Sequence, residues 1–170
     1  MRGLSFTAFA VALAASLTVS VAEEGKAAKG TYRCIEVTKF SVAEGVQFPP
    51  EYQISLVEDL VRQLENAKRF TQVLRPGEVA ADQDIPTLRL TGIITEYKAG
   101  SRAKRYLIGF GFGATKVVVQ VQFLDRTMGN VLLDRKVDGK VVVGVMGGES
   151  LGATNGLAKE VAKVAKDRFF

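Results

Sequence analysis

Apolar residues recur at three- and four-residue spacing in two stretches of the chain and at two-residue spacing in several others, a contrast of periods that predicts helices and strands together. Ile54, Val57, Leu60, Val61, Leu64 and Ala67 form one stripe behind Phe48-Pro49-Pro50-Glu51. There proline fixes φ and an early acid complements the helix dipole, so a helix is expected to start at this point. Glu58 with Arg62 and Glu65 with Arg69 are spaced as i,i+4 pairs on its wet side. Near the end of the chain Leu157, Ala158, Val161, Val164 and Ala165 define a second apolar stripe, opposed by Lys159, Glu160, Lys163, Lys166 and Asp167, with Thr154 placed to cap it.

Strands fill the space between. Thr31 to Val42 reads as an interior strand because neither of its faces is cleanly polar, and Phe70 to Leu74 as a short one ended by Pro76-Gly77. Glu78 to Pro86 is a polar connection. Leu88, Leu90, Gly92 and Ile94 alternate with Arg89, Thr91 and Thr95, and Val117, Val119, Val121 and Phe123 alternate with Gln120 and Gln122, which predicts two one-sided strands. Asp125 to Asn130 is a tight connection into Val131 to Val137, and Asp138-Gly139 is a hairpin signal leading into Val141 to Met146. The fold class expected is α+β: a mixed, largely antiparallel sheet of about five to six strands with two amphipathic helices on one face.

The first 22 residues stand apart. One charge at Arg2, the apolar run Leu4 to Leu17 and the small residues of Ser20-Val21-Ala22 have the form of a cleavable export signal. The organisation expected is thus a signal peptide over 1–22, a flexible leader over 23–29 and one α+β domain over 30–170, with no transmembrane segment after cleavage and a periplasmic or secreted location. Cys34 lies twelve residues past Ala22, preceded by Thr31-Tyr32-Arg33, which is the wrong context for lipid attachment. A buried thiol inside a strand is the expectation for it.

Composition narrows the chemistry more than it widens it. The chain of 170 residues contains no histidine, one cysteine and no tryptophan, so imidazole bases, imidazole metal ligands and an internal disulfide are excluded. No cofactor is implied. Asp82-Gln83-Asp84 offers too few converging oxygens for a hard cation and reads as solvated carboxylates. The glycine run Gly109-Phe110-Gly111-Phe112-Gly113 is followed by a valine-rich strand rather than by a helix, so it lacks the context of a phosphate loop. Ser101-Arg102-Ala103-Lys104 matches the S-x-x-K pattern, but no S-D-N or K-T-G element accompanies it.

Charge singles out one surface. No acidic residue occurs from Tyr97 to Leu124, whereas Lys98, Arg102, Lys104, Arg105 and Lys116 are basic, and the net charge of the chain is +5. Such a stretch attracts carboxylate or phosphate surfaces. Arg102, Lys104 and Arg105, with Tyr106, Phe110 and Phe112 adding apolar area, are therefore the candidate partner-binding residues. The partners expected are an envelope protein, an anionic envelope polymer or lipid surface, or a second copy of the chain; nucleic acid is not expected for an exported protein.

Three segments carry a resemblance. Leu90 to Tyr97, Gly100 to Gly111 and Val121 to Asp125 before Gly129 are similar in order and motif to a bacterial envelope family known as a domain of unknown function, with a Gly-x-Arg-x-x-Arg-Tyr-x-x-Gly motif at Gly100, Arg102, Arg105, Tyr106 and Gly109 and a D-x-x-x-G hairpin at Asp125 and Gly129. The resemblance implies exported proteins or lipoproteins and supplies no activity. The element order is also similar to periplasmic domains of the curli secretion pore family, which are scaffolds and partner-binding modules. Together these readings imply a non-catalytic envelope module for binding or assembly, the alternative being a small exported serine hydrolase using Ser101 with Lys104.

Overall fold

A computed structural model describes residues 29–82, 84–99, 115–141 and 151–170. The expected export signal, most of the leader and the expected strand beyond Val141 lie outside these residues. In chain order the elements are β1 (Cys34–Val37), β2 (Ser41–Val42), α1 (Pro50–Asn66), β3 (Gln72–Leu74), β4 (Thr87–Lys98), β5 (Thr115–Asp125), β6 (Val131–Val141) and α2 (Leu151–Phe169). They form a six-stranded mixed sheet of order β3-β1-β4-β5-β6, with β2 following β1 along the same side of β4. The expected α+β class is the one observed.

β4 is where the sheet changes direction. It pairs parallel with β1 (Cys34 opposite Thr87) and with β2 (Ser41 opposite Ile93), and antiparallel with β5 over nearly its whole length. β5 then pairs antiparallel with β6. The single strand expected over Thr31 to Val42 is thus two short ones. The interruption falls where Phe40 turns its ring over Gly92: a Cβ at 92 would lie 2.7 Å from Phe40 Cε2, so only glycine leaves room for the ring.

Alternation decides which strand residues are buried. Ile35, Val37, Leu88, Leu90, Ile94, Val117, Val119, Val121 and Phe123 are fully buried on the face that both helices cover. α1 contributes Leu56, Val57, Leu60, Val61 and Leu64, and α2 contributes Leu157, Ala158, Val161, Ala162, Ala165 and Phe169. Ile54 departs from the expected stripe, being 68% exposed, and Leu56 takes its place in the core. The expected i,i+4 pairing of Glu58 with Arg62 is replaced too: Arg62 pairs with Asp59, and Glu58 with Arg75 at 3.3 Å.

Two further expectations are corrected. Asp138-Gly139 is not a turn but lies inside β6, where a Cβ on Gly139 would come within 2.6 Å of Leu157 Cβ, so the glycine serves close approach of α2 to the strand. Thr154 does not cap α2, which begins at Leu151; its buried hydroxyl instead donates to Asp59 Oδ2 on α1 at 2.6 Å. Cys34 is a free buried thiol, as expected. It faces away from the main core into a smaller cluster with Leu74 and Ala80.

Candidate functional site

The candidate residues Arg102, Lys104, Arg105, Tyr106, Phe110 and Phe112, the motif glycines at 100 and 109, and Ser101 lie outside the described residues. What the structure defines is the frame they leave from and return to. Lys98 at the end of β4 stands opposite Lys116 at the start of β5. Glu96 lies between them, its two carboxylate oxygens each 3.0 Å from one of the ammonium groups. Hydrogen bonds from Lys98 and Lys116 hold the Glu96 carboxyl below the usual carboxylate range. Two of the cations counted in the acid-free stretch therefore share one acid just upstream of it, which lowers their joint charge from +2 to +1 and which the linear count could not register.

Beside this frame an open depression of about 460 Å³ is bounded by Gly45, Val46 and Gln47 on one side and by Thr95, Glu96, Tyr97 and Ala99 on the other. Its floor borders an aromatic cluster in which Phe48, Tyr52 and Tyr97 meet edge to face, the closest centroids being Phe48 and Tyr97 at 5.2 Å. Burial, reinforced by the neighbouring Tyr52, pushes the Tyr97 hydroxyl above its ordinary pKa.

The opposite end of the β4 to β6 meander is organised by Asp125. Its Oδ1 accepts the amides of Thr127 and Met128, both at 2.8 Å, and its Oδ2 accepts the Tyr32 hydroxyl at 2.8 Å. The Gly129 amide bonds back to the Asp125 carbonyl at 2.9 Å, and Gly129 adopts a φ of 73°. The D-x-x-x-G motif is thus a turn in which aspartate fills the exposed amides and glycine takes the left-handed position. Burial works to raise the Asp125 pKa, but the Met128 amide, the Tyr32 hydroxyl and the Thr127 amide outweigh it and hold the carboxyl below its ordinary range. Burial and the adjacent Asp125 push Tyr32 up to about 12.

The sheet face turned away from the helices carries polar side chains. Glu36 receives Arg89 Nε at 3.0 Å and Arg126 Nε at 3.2 Å, and Asp134 receives Gln122 Nε2 at 2.7 Å and also the Gln120 amide. On the helix side, Asp59 is only 7% exposed and bonds to Thr154 and Arg62, while Gln63 donates to Asn155 at 2.8 Å across the same seam. Asp59 escaped the sequence reading, although its place among Leu56, Val57, Leu60 and Val61 was the available signal. Asp82 and Asp84 are exposed, and among the described residues no three metal-ligating side chains come together. No described helix is long and apolar enough to cross a membrane.

These features define an α+β scaffold in which Glu36, Asp59, Glu96, Asp125 and Asp134 are tied into ion pairs or hydrogen bonds. Residues 35–160 match the family described as a domain of unknown function, DUF4410, and the chain belongs to that family. Its fold is similar to that of PelC from Paraburkholderia phytofirmans, solved as a dodecamer, with 19% identity over 81% of this chain and 91% of that one and a TM-score of 0.54. It is also similar to protein XCC0632 from Xanthomonas campestris, assigned to DUF330, with 12% identity over 82% and 85% of the two chains and a TM-score of 0.52. Comparison with curated proteins finds no match.

Proposed function

We propose that the chain is an exported, non-catalytic assembly module of the bacterial envelope that works by associating with copies of itself. The observation that carries this reading is the likeness in fold to a protein solved as a dodecamer, extending over 91% of that protein's chain. The export signal read over 1–22 supports an envelope location, and the absence of histidine from the sequence supports adhesion rather than proton-transfer chemistry. The similarity in element order to curli-type periplasmic domains points the same way. In this reading the basic segment with Arg102, Lys104, Arg105, Tyr106, Phe110 and Phe112 is a second surface, for an anionic envelope polymer.

The test is sedimentation velocity on the purified chain across roughly a hundredfold range of concentration, where mass action must drive an associating protein to larger species. A single monomer boundary throughout would refute the proposal. Ser101→Ala tests the hydrolase alternative: assembly is expected to be unchanged, whereas any ester or amide hydrolysis that the wild type shows and this variant loses would restore the enzyme reading.

A further inference from the structure

Of all the sheet's boundaries, β6 offers the longest. β3, on the other side, is three residues long and is followed closely by Pro76-Gly77, whereas β6 runs for eleven residues and, among the described residues, no strand lies beyond it. Such an edge exposes a row of backbone donors and acceptors, and charged side chains ordinarily keep foreign strands away from it. The arrangement of charges on β6 is therefore informative. Leu133 and Val137 belong to the core face, so Asp134, Lys136 and Asp138 lie on the open face of the sheet. Their signs read minus, plus, minus.

Two of these charges, opposite in sign, flank Val137. In an antiparallel pair the residues directly opposite one another must face the same side, so two copies of β6 can meet only in registers centred on a residue. Centring on Asp134, Lys136 or Asp138 sets that charge against its own copy, and the Lys136 register also opposes Asp134 to Asp138. Centring on Arg135 does bring Asp134 to Lys136, but it sets the guanidinium against its own copy. Centring on Val137 sets Lys136 against Asp138 twice and places an apolar pair at the middle. Opposite charges directly across strands stabilise pairing and like charges oppose it, so among registers centred on residues 134–138 one is selected over its neighbours.

We infer that the outer edge of β6 is a self-recognition edge, through which a second copy of this chain pairs antiparallel about Val137 and joins the two sheets. The interface is isologous, with the same strand contributed by both copies, which is the simplest closed assembly. The inference rests on the self-association proposed above and names its surface and partner. Lys136 and Asp138 are both exposed in the single chain. Each can therefore be reversed without disturbing the core.

The experiment measures the dimer dissociation constant of the wild type, Lys136→Asp, Asp138→Lys and the double reversal, with circular dichroism confirming that each is folded. Each single reversal replaces two opposite pairs by two like pairs and is expected to weaken association about tenfold or more, while the double reversal restores it because the two positions are again complementary. Mixing chains carrying Lys136→Cys with chains carrying Asp138→Cys under oxidising conditions should give a disulfide-linked pair. Association that ignores the single reversals, or single reversals that the double variant fails to rescue, would overturn the β6 register while leaving self-association standing. A wild type that stays monomeric at every concentration would overturn both.

Discussion

Replacing Gly139 by Ala should loosen the molecule in a way that the chemistry of a turn cannot explain. The added methyl would lie 2.6 Å from Leu157 Cβ and 2.9 Å from both its Cα and its amide nitrogen. Carbon atoms rest about 3.5–4.0 Å apart at their optimum, so α2 must shift by about 1 Å or the strand must bend. Two of the three obstructing atoms are helix backbone, which cannot swing aside as a side-chain end can. Overpacking of this kind costs about 1–3 kcal/mol, and the reduced freedom of the unfolded chain returns about 0.4–1 kcal/mol. A net loss of about 1–2 kcal/mol remains, equivalent to a melting temperature lower by about 3–8 °C for a domain of this size. Urea unfolding followed by far-ultraviolet circular dichroism measures it directly. Repeating the substitution in a Leu157→Gly background should recover part of the cost, because the closest atom has been removed. A Gly139→Ala variant as stable as the wild type would refute the close approach of α2 to β6.

Four further outcomes are expected. Asp59→Ala should destabilise the fold by about 1–3 kcal/mol, because it removes the buried carboxylate that accepts the Thr154 hydroxyl across the seam between α1 and α2 and pairs with Arg62; equilibrium denaturation checks this. Ile54→Ser should change stability by less than about 0.5 kcal/mol, while Leu56→Ala should cost about 2–5 kcal/mol, a contrast that follows from 68% against zero exposure. Tyr32 has a folded pKa raised to about 12. Its contribution is complete below the unfolded tyrosine value near 10 and is lost as pH rises toward 12, so Tyr32→Phe should flatten part of the alkaline loss of stability in a pH series of melts. Asp125 has the opposite sign: its depressed pKa adds stability above the unfolded carboxylate range that disappears as pH falls through the folded value, and Asp125→Asn should blunt that acid limb.

The helices and the antiparallel ladders were legible because both are local. Alternation over Leu88 to Ile94 and over Val117 to Phe123 identified the buried face of β4 and β5 residue by residue, and the last stripe located α2. What escaped depends on contacts distant in the chain. Nothing in the composition of Cys34–Val37 says that it lies between β3 and β4 in parallel, since strand order is set by which elements bury one another. Ile54 and Leu56 are equally apolar, and only the position of the sheet chooses between them. Asp138-Gly139 satisfies hairpin chemistry and close packing equally well, and Leu157, further along the chain, decides. The candidate residues at positions 102–112 are legible only as a chemical type, and Glu96, which pairs with both Lys98 and Lys116 and offsets one of their two charges, sits outside the window that makes the segment look uniformly basic.

The lone thiol of Cys34 gives this fold a built-in reporter. It is fully buried beneath Leu74 and Ala80, and burial pushes its pKa up, so a thiol reagent meets its reactive thiolate chiefly when the cover formed by the stretch after β3 lifts away and solvent enters. Because the chain has no other cysteine, the labelling rate is a clock for that single opening, separable from global melting by its dependence on denaturant. A self-assembled form could thus be compared with the free chain by kinetics at one sulfur atom, without attaching a probe to any surface where copies meet.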